Sequence, residues 1–187
     1  MSSASIGGAG AAPLGFETIC VATDFNEPAR LALDYGVTLA ERFGADLHLL
    51  HVLHELGPGI ADPNYTACFE MARQYFNRLL DTEEKGEQEG EHEAKKFIQC
   101  LEARTRERLE ALVAELPSEH RRIETAIRYG KPVEEICAYA KMHHVDLLLL
   151  GTQGRTGTDY FLIGSVEERV VRVSPCPVMT VRLPRHA

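Results

Sequence analysis

The chain of 187 residues contains no tryptophan and few aromatic residues of any kind. It has no uninterrupted apolar stretch near the roughly 20 residues that a membrane helix needs, so no membrane partner is expected. Basic residues are also scarce: 20 Lys and Arg face 28 Asp and Glu, for a net charge of −8. That balance argues against nucleic acid and acidic membranes, which require clustered positive charge. A small anion is still permitted, since a few backbone donors suffice to hold one. The five cysteines, Cys20, Cys68, Cys100, Cys137 and Cys176, are scattered and form no C-x-x-C pair. Each reads as a small core or surface residue, and a reducing, cytoplasmic compartment is expected. Residues 1–15 are rich in Ser, Ala and Gly and lack the basic and apolar regions of a signal peptide, so they are expected to form a flexible tail. There is no Walker A string, no Gly-x-Gly-x-x-Gly and no Gly-x-Ser-x-Gly nucleophile elbow. His48, His51 and His54 recur every three residues, but His48 and His51 point to opposite faces of a strand. His143-His144 has no partner at a known ligand spacing, so no protein metal site is expected.

What is present is an alternation of strand and helix signals. Thr18-Ile19-Cys20-Val21-Ala22 is a short apolar run of strand formers, ending in Thr23-Asp24-Phe25-Asn26. Asn26 suits a helix N-cap and Pro28 a first helical turn. Ala29, Ala32, Leu33, Gly36, Val37, Ala40 and Phe43 then recur at helical spacing until Gly44. Further strands are expected over Leu47–Val52, Ile123–Arg128, Val145–Leu150 and Val178–Val181. Between the last three lie a helix carrying Val133, Ile136, Cys137 and Ala140, and another after Ser165. This order predicts one doubly wound α/β domain over residues 16–187, with a five-stranded parallel sheet and helices on both faces. The span after the second strand is too long for a simple crossover. Residues 57–96 read as a helical and acidic insertion, with a solvated linker from Asp81 to Glu93. A long helix bearing Phe97, Leu101, Leu109, Leu112 and Leu116 follows.

The candidate site lies late in the chain. Gly151-Thr152-Gln153-Gly154-Arg155-Thr156-Gly157 follows the fourth strand, and Gly164-Ser165-Val166 opens the next helix. Strand, glycine-rich loop and helix start together present backbone N–H groups and a positive dipole end to a phosphate. Gly151 at the strand's end permits close approach of a ligand, and Gly154 a left-handed turn. Ser165-x-x-Glu168 is a capping box; the same glycines also serve as plain loop architecture.

Two glycines separated by two residues, a long gap and then Gly-Ser resemble the ATP-binding signature of the universal stress protein family. The following Val166-Glu167-Glu168-Arg169-Val170-Val171-Arg172 and Ser174-Pro175-Cys176-Pro177-Val178 are similar to that family's C-terminal sequence. The resemblance covers both flanks of the chain and the middle poorly. It implies a cytoplasmic module of the stress response that binds ATP or another adenine nucleotide, with Mg²⁺ as its companion ion. Ala22, Thr23, Asp24 and Val52 would surround the nucleoside. Leu150, Gly151, Thr152, Gln153, Gly154, Arg155, Gly164, Ser165 and Val166 would hold ribose and phosphates. Arg155 reads equally as a phosphate ligand or a solvated loop charge, and Asp24 equally as a helix N-terminal carboxylate. Asp159 adds negative charge where phosphates are expected, so a less charged adenine nucleotide is expected to bind as well as a triphosphate. No metal and orienting base for phosphoryl transfer are evident, so at most slow hydrolysis is expected. The resemblance also implies a homodimer paired through the edge strand, Val178, Met179, Thr180 and Val181. The inserted helices with Phe69, Tyr75 and Phe76 offer the alternative of a nucleotide-free protein-interaction module.

Overall fold

The computed structural model describes residues 15–53, 87–116, 122–152 and 166–184, with the backbone alone for 87–94. In these the chain forms β1 (Thr18–Ala22), α1 (Glu27–Phe43), β2 (Asp46–Leu53), α2 (Glu87–Ala114), β3 (Ile123–Tyr129), α3 (Pro132–Met142), β4 (Leu147–Thr152), α4 (Val166–Val173) and β5 (Val178–Arg182). The five strands make one sheet in the order β3-β2-β1-β4-β5. Every neighbouring pair is parallel. The expected doubly wound fold is therefore present, with β5 on one outer edge and β3 on the other.

The apolar runs explain the layering, because alternate residues of a strand face opposite sides. Ile19, Val21, Leu47, Leu49, Leu147 and Leu149 face one way and pack on Ala32, Leu33, Val37 and Ala40 of α1 and Leu109 of α2. Cys20, Ala22, Leu50, Leu148 and Leu150 face the other way, onto Val133, Ile136, Tyr139 and Ala140 of α3 and Val170 of α4. Burying such side chains on both faces stabilises the sheet by about 1.5–3 kcal/mol for each Leu, Ile or Val. At the strands' amino end the Asp146 carboxylate accepts from the backbone N–H groups of Glu17 (2.7 Å) and Thr18 (2.9 Å), tying β4 to β1.

Helix α1 begins and ends where its sequence dictates. The Asn26 side chain accepts from the Ala29 N–H, Pro28 occupies the first turn, and Gly44 closes the helix at φ 70°. Helix α2 starts earlier than the acidic composition suggests. Glu87 to Glu93 are helical rather than linker, because this acidic segment is continuous with a strand-facing helix whose Leu101 and Leu109 are buried. The rest of the inserted segment, including Phe69, Tyr75 and Phe76, and the N-terminal tail to residue 14 lie outside the described residues.

The cysteine reading needs one correction. Cys20, Cys137 and Cys176 are free thiols, but Cys100 on α2 is disulfide-bonded. Pairing depends on spatial approach rather than on sequence spacing, so the scattered pattern gave no sign of it. The cysteines therefore no longer argue for a reducing compartment. Among the described residues no helix is long and apolar enough to cross a membrane.

Candidate functional site

The chain builds outward from β1 to β2 and β3, then crosses back to lay β4 on the other side of β1. The carboxyl ends of β1 and β4 thus border the switch point, where open α/β sheets form a crevice. Ala22 is registered beside Leu150 there, so the turn Thr23–Asn26 and the strand end Gly151–Thr152 emerge side by side.

The turn after β1 is held by a dense set of hydrogen bonds. Thr23 is buried; its N–H donates to the Leu50 carbonyl at 2.8 Å and its Oγ1 accepts from the Phe25 N–H at 3.0 Å. The Thr23 carbonyl accepts from His51 Nδ1 at 2.7 Å. Phe25 adopts the left-handed backbone region at φ 65°, which costs a non-glycine residue energy and recurs at functional turns. Its ring lies against His51, with centroids 4.6 Å apart, and beneath the Arg108 guanidinium, 3.8 Å from the ring centroid. Helix α2 thereby closes over the turn through a cation–π contact. Arg108 Nη1 is buried and has no hydrogen-bond partner among the described residues.

Asp24 is exposed at the crevice. Its Oδ1 accepts from the Asn26 N–H (3.1 Å) and its Oδ2 from Asn26 Nδ2 (2.7 Å). Displacement of water by the surrounding chain nevertheless raises its pKa above the usual carboxylate value, outweighing the bonds from Asn26. The Glu167 carboxylate adds to the rise and His51 opposes it.

Of the remaining sequence-expected residues, Ala22 and Leu150 are buried and Val52 half-buried on the α3/α4 face of the sheet. Thr152 donates its hydroxyl to the Val181 carbonyl at 3.2 Å, which fixes the end of β4 to β5. Val166 opens α4 and is exposed. Gln153, Gly154, Arg155, Gly164 and Ser165 lie outside the described residues. The reading of Gly151 changes: a Cβ there would collide with the backbone of Pro28 and Ala29. Its missing side chain admits the start of α1. Phe25 and Arg108 were not anticipated. A turn phenylalanine carries no chemical signature, and Arg108 is one of several arginines on α2 until the helix folds back.

An all-parallel sheet of this order, with a switch point between β1 and β4, defines the doubly wound α/β class. The sequence profile of the universal stress protein family matches residues 15–182, and the chain belongs to that family. It is 27% identical to universal stress protein MJ0531 of Methanocaldococcus jannaschii over 170 residues, 91% of this chain and 84% of the relative. It is 28% identical to MJ0577 of the same organism over 89% of this chain and 95% of that one. Among solved structures, the universal stress protein UspA from Lactobacillus plantarum superimposes with a TM-score of 0.55 at 25% identity, covering 90% of this chain and 99% of that one. A universal stress protein in complex with cAMP shares the fold with a TM-score of 0.51 at 19% identity, covering 90% of this chain and 98% of its own.

Proposed function

We propose that this protein binds an adenine nucleotide, ATP first among them, in the crevice between β1 and β4, and serves as a regulatory module of the stress response. One observation carries the reading: the exposed Asp24 carboxylate follows β1 at the switch point, where Ala22 is registered beside Leu150 at the end of β4. A carboxylate there accepts bonds from ribose hydroxyls or an adenine amino group. Ala22, Val52 and Leu150 supply apolar surface beside the nucleoside, with Thr23 and Thr152 fixing the two strand ends. The free N–H groups of the first turn of α4, at Val166 and Glu167, suit a phosphate. The glycine spacing through Gly154 and Gly164-Ser165 supports the same use, with Gln153 and Arg155 beside it. The complex of a fold relative with cAMP is consistent with an adenine ligand. Asp159 and Glu167 add negative charge along the same stretch of sequence, so AMP or a cyclic nucleotide competes with ATP. Mg²⁺ accompanies the polyphosphates.

Binding acts by biasing an equilibrium between states that differ in nucleotide affinity. Pairing of two chains through the exposed edge of β5, over Val178–Val181, is the assembly we assign to it. A cytoplasmic setting fits such a ligand, and the Cys100 disulfide weighs against it.

Calorimetric titration of nucleotide-stripped protein with ATP, ADP, AMP and cAMP, each with and without Mg²⁺, tests the proposal beside Asp24→Ala and Gly164→Val. Saturable binding lost in both variants supports it. Absence of binding by folded wild-type protein sinks it and turns attention to the inserted helices as a protein-interaction surface.

A further inference from the structure

At the opposite end of the sheet, the side chains of His48, Glu124 and His143 converge, with one ligand atom from each lying within 4.8 Å of the others. They come from three elements. The parallel register places Glu124 of β3 directly beside His48 of β2, so both project from the α3 face of the sheet. His143 caps the carboxyl end of α3, where its N–H donates to the Tyr139 carbonyl at 3.0 Å. Nothing in the nucleotide reading uses these residues.

We propose that His48, Glu124 and His143 form a divalent metal site of the zinc class. Two imidazoles and a carboxylate are a familiar ligand set for that ion, with a fourth position left for water. His48 Nε2 already lies 3.9 Å from a Glu124 carboxylate oxygen. Donors around a tetrahedral zinc stand about 3.3 Å apart, given bonds of roughly 2.0–2.1 Å. Closing the cluster therefore requires movements of about an ångström. Glu124, with 53% of its side chain exposed, has room to make them, and His143 stands at a helix end.

Tyr139 prepares both histidines. Its hydroxyl lies 3.0 Å from His48 Nδ1, which turns Nε2 toward the cluster. When Nδ1 carries the proton and donates to that hydroxyl, Nε2 presents its lone pair, the outer contact by which metal-bound imidazoles are commonly oriented. The Tyr139 ring also stacks on His143, with centroids 4.0 Å apart at 24°. Two cations stand near the cluster. Arg128 donates to the Met142 sulfur at 3.4 Å and lies 5.7 Å from the Tyr139 ring centroid, and Arg122 pairs with Asp46 at 3.9 Å. An ion here pins the edge strand β3 and the end of α3 to the buried β2.

The test uses the full chain, stripped with chelator and dialysed, then titrated with Zn²⁺ by calorimetry and with Co²⁺ by visible absorption. The expected result is one ion per chain, with the absorption bands of tetrahedral cobalt. Glu124→Gln and His143→Gln are each expected to weaken Zn²⁺ at least tenfold and abolish those bands. His144→Asn, which keeps a residue suited to the φ of 50° found there, is expected to leave both unchanged. Circular dichroism confirms that the variants fold. No binding by the folded wild-type chain, or binding undiminished in Glu124→Gln and His143→Gln, overturns the proposal and assigns any uptake to other histidines.

Discussion

His48 and His51 stand three residues apart on β2, and the fold gives them opposite surroundings. His51, toward the carboxyl end, hydrogen-bonds to backbone, the Thr23 carbonyl, and packs on Phe25. His48, toward the amino end, meets only side chains in the interactions that define it: the Tyr139 hydroxyl, Glu124 and His143. The two ends of the sheet are therefore built differently. At the carboxyl end, side chains such as Thr23, His51 and Thr152 bond to backbone groups of the turn and strand ends. At the amino end, the cluster around His48 joins polar side chains to one another. Substitutions at the first should cost more stability than equivalent ones at the second.

The largest expected effect is at Gly151. An alanine Cβ there meets the main chain of Pro28 and Ala29, which cannot rotate away as a side chain does. Overpacking of this kind costs about 3 kcal/mol or more. For a domain of this size that lowers Tm by roughly 6–12 °C. Gly36 offers a comparison, because its Cβ would meet the Val21 side chain. Gly36→Ala should therefore cost less than Gly151→Ala in the same denaturant titration. Equal costs would mean that the backbone rim at the carboxyl end yields as readily as a core side chain.

Next in size are the two histidine anchors. His51→Leu keeps bulk but strips the buried Thr23 carbonyl of its donor, at about 1–3 kcal/mol. Tyr139→Phe removes the partner of His48 Nδ1 for about 0.5–1.5 kcal/mol. The smaller figure follows from chemistry: an imidazole left without that hydroxyl can switch tautomer, whereas an orphaned carbonyl has no such recourse. Chemical denaturation of both variants settles the order, and a larger loss in Tyr139→Phe would reverse the contrast between the two ends.

The sequence carried the frame of this fold to within two residues at each strand end, because buried parallel strands are continuous apolar runs and Asn26, Pro28 and Gly44 punctuate α1 chemically. It also carried the opposed directions of His48 and His51, since strand periodicity is strict. It did not carry their partners. Glu124 and His143 reach His48 through strand register and a helix end, neither of which leaves a local spacing. The disulfide at Cys100 escaped for the same reason. Gly151 was legible as a glycine that something must approach, but not that the something is α1. Acidic composition misled at Glu87–Glu93, where exposed helix and solvated linker look alike residue by residue.

The smallest expected change in stability is at Asp24, and its sign is its value. The folded state raises this carboxyl's pKa above the ordinary 3.8, chiefly by displacing water. Below that value both folded and unfolded chains hold the proton, and the residue is neutral toward stability. As pH rises through the ordinary value and then the raised one, the unfolded chain ionises more readily, and the folded chain incurs a penalty that persists at neutral pH. Asp24→Asn relieves that penalty while still accepting from the Asn26 N–H, and gives up the bond from Asn26 Nδ2. It should therefore stabilise the protein slightly at pH 7 relative to wild type, with the advantage fading in acid. The same variant should weaken nucleotide binding if the proposed function holds. A residue whose removal improves the fold and harms the ligand is one retained for use rather than for architecture. Equal destabilisation at both pH values would instead make Asp24 a structural cap for the turn before α1, and would leave the carboxyl rim without its proposed contact to the nucleoside.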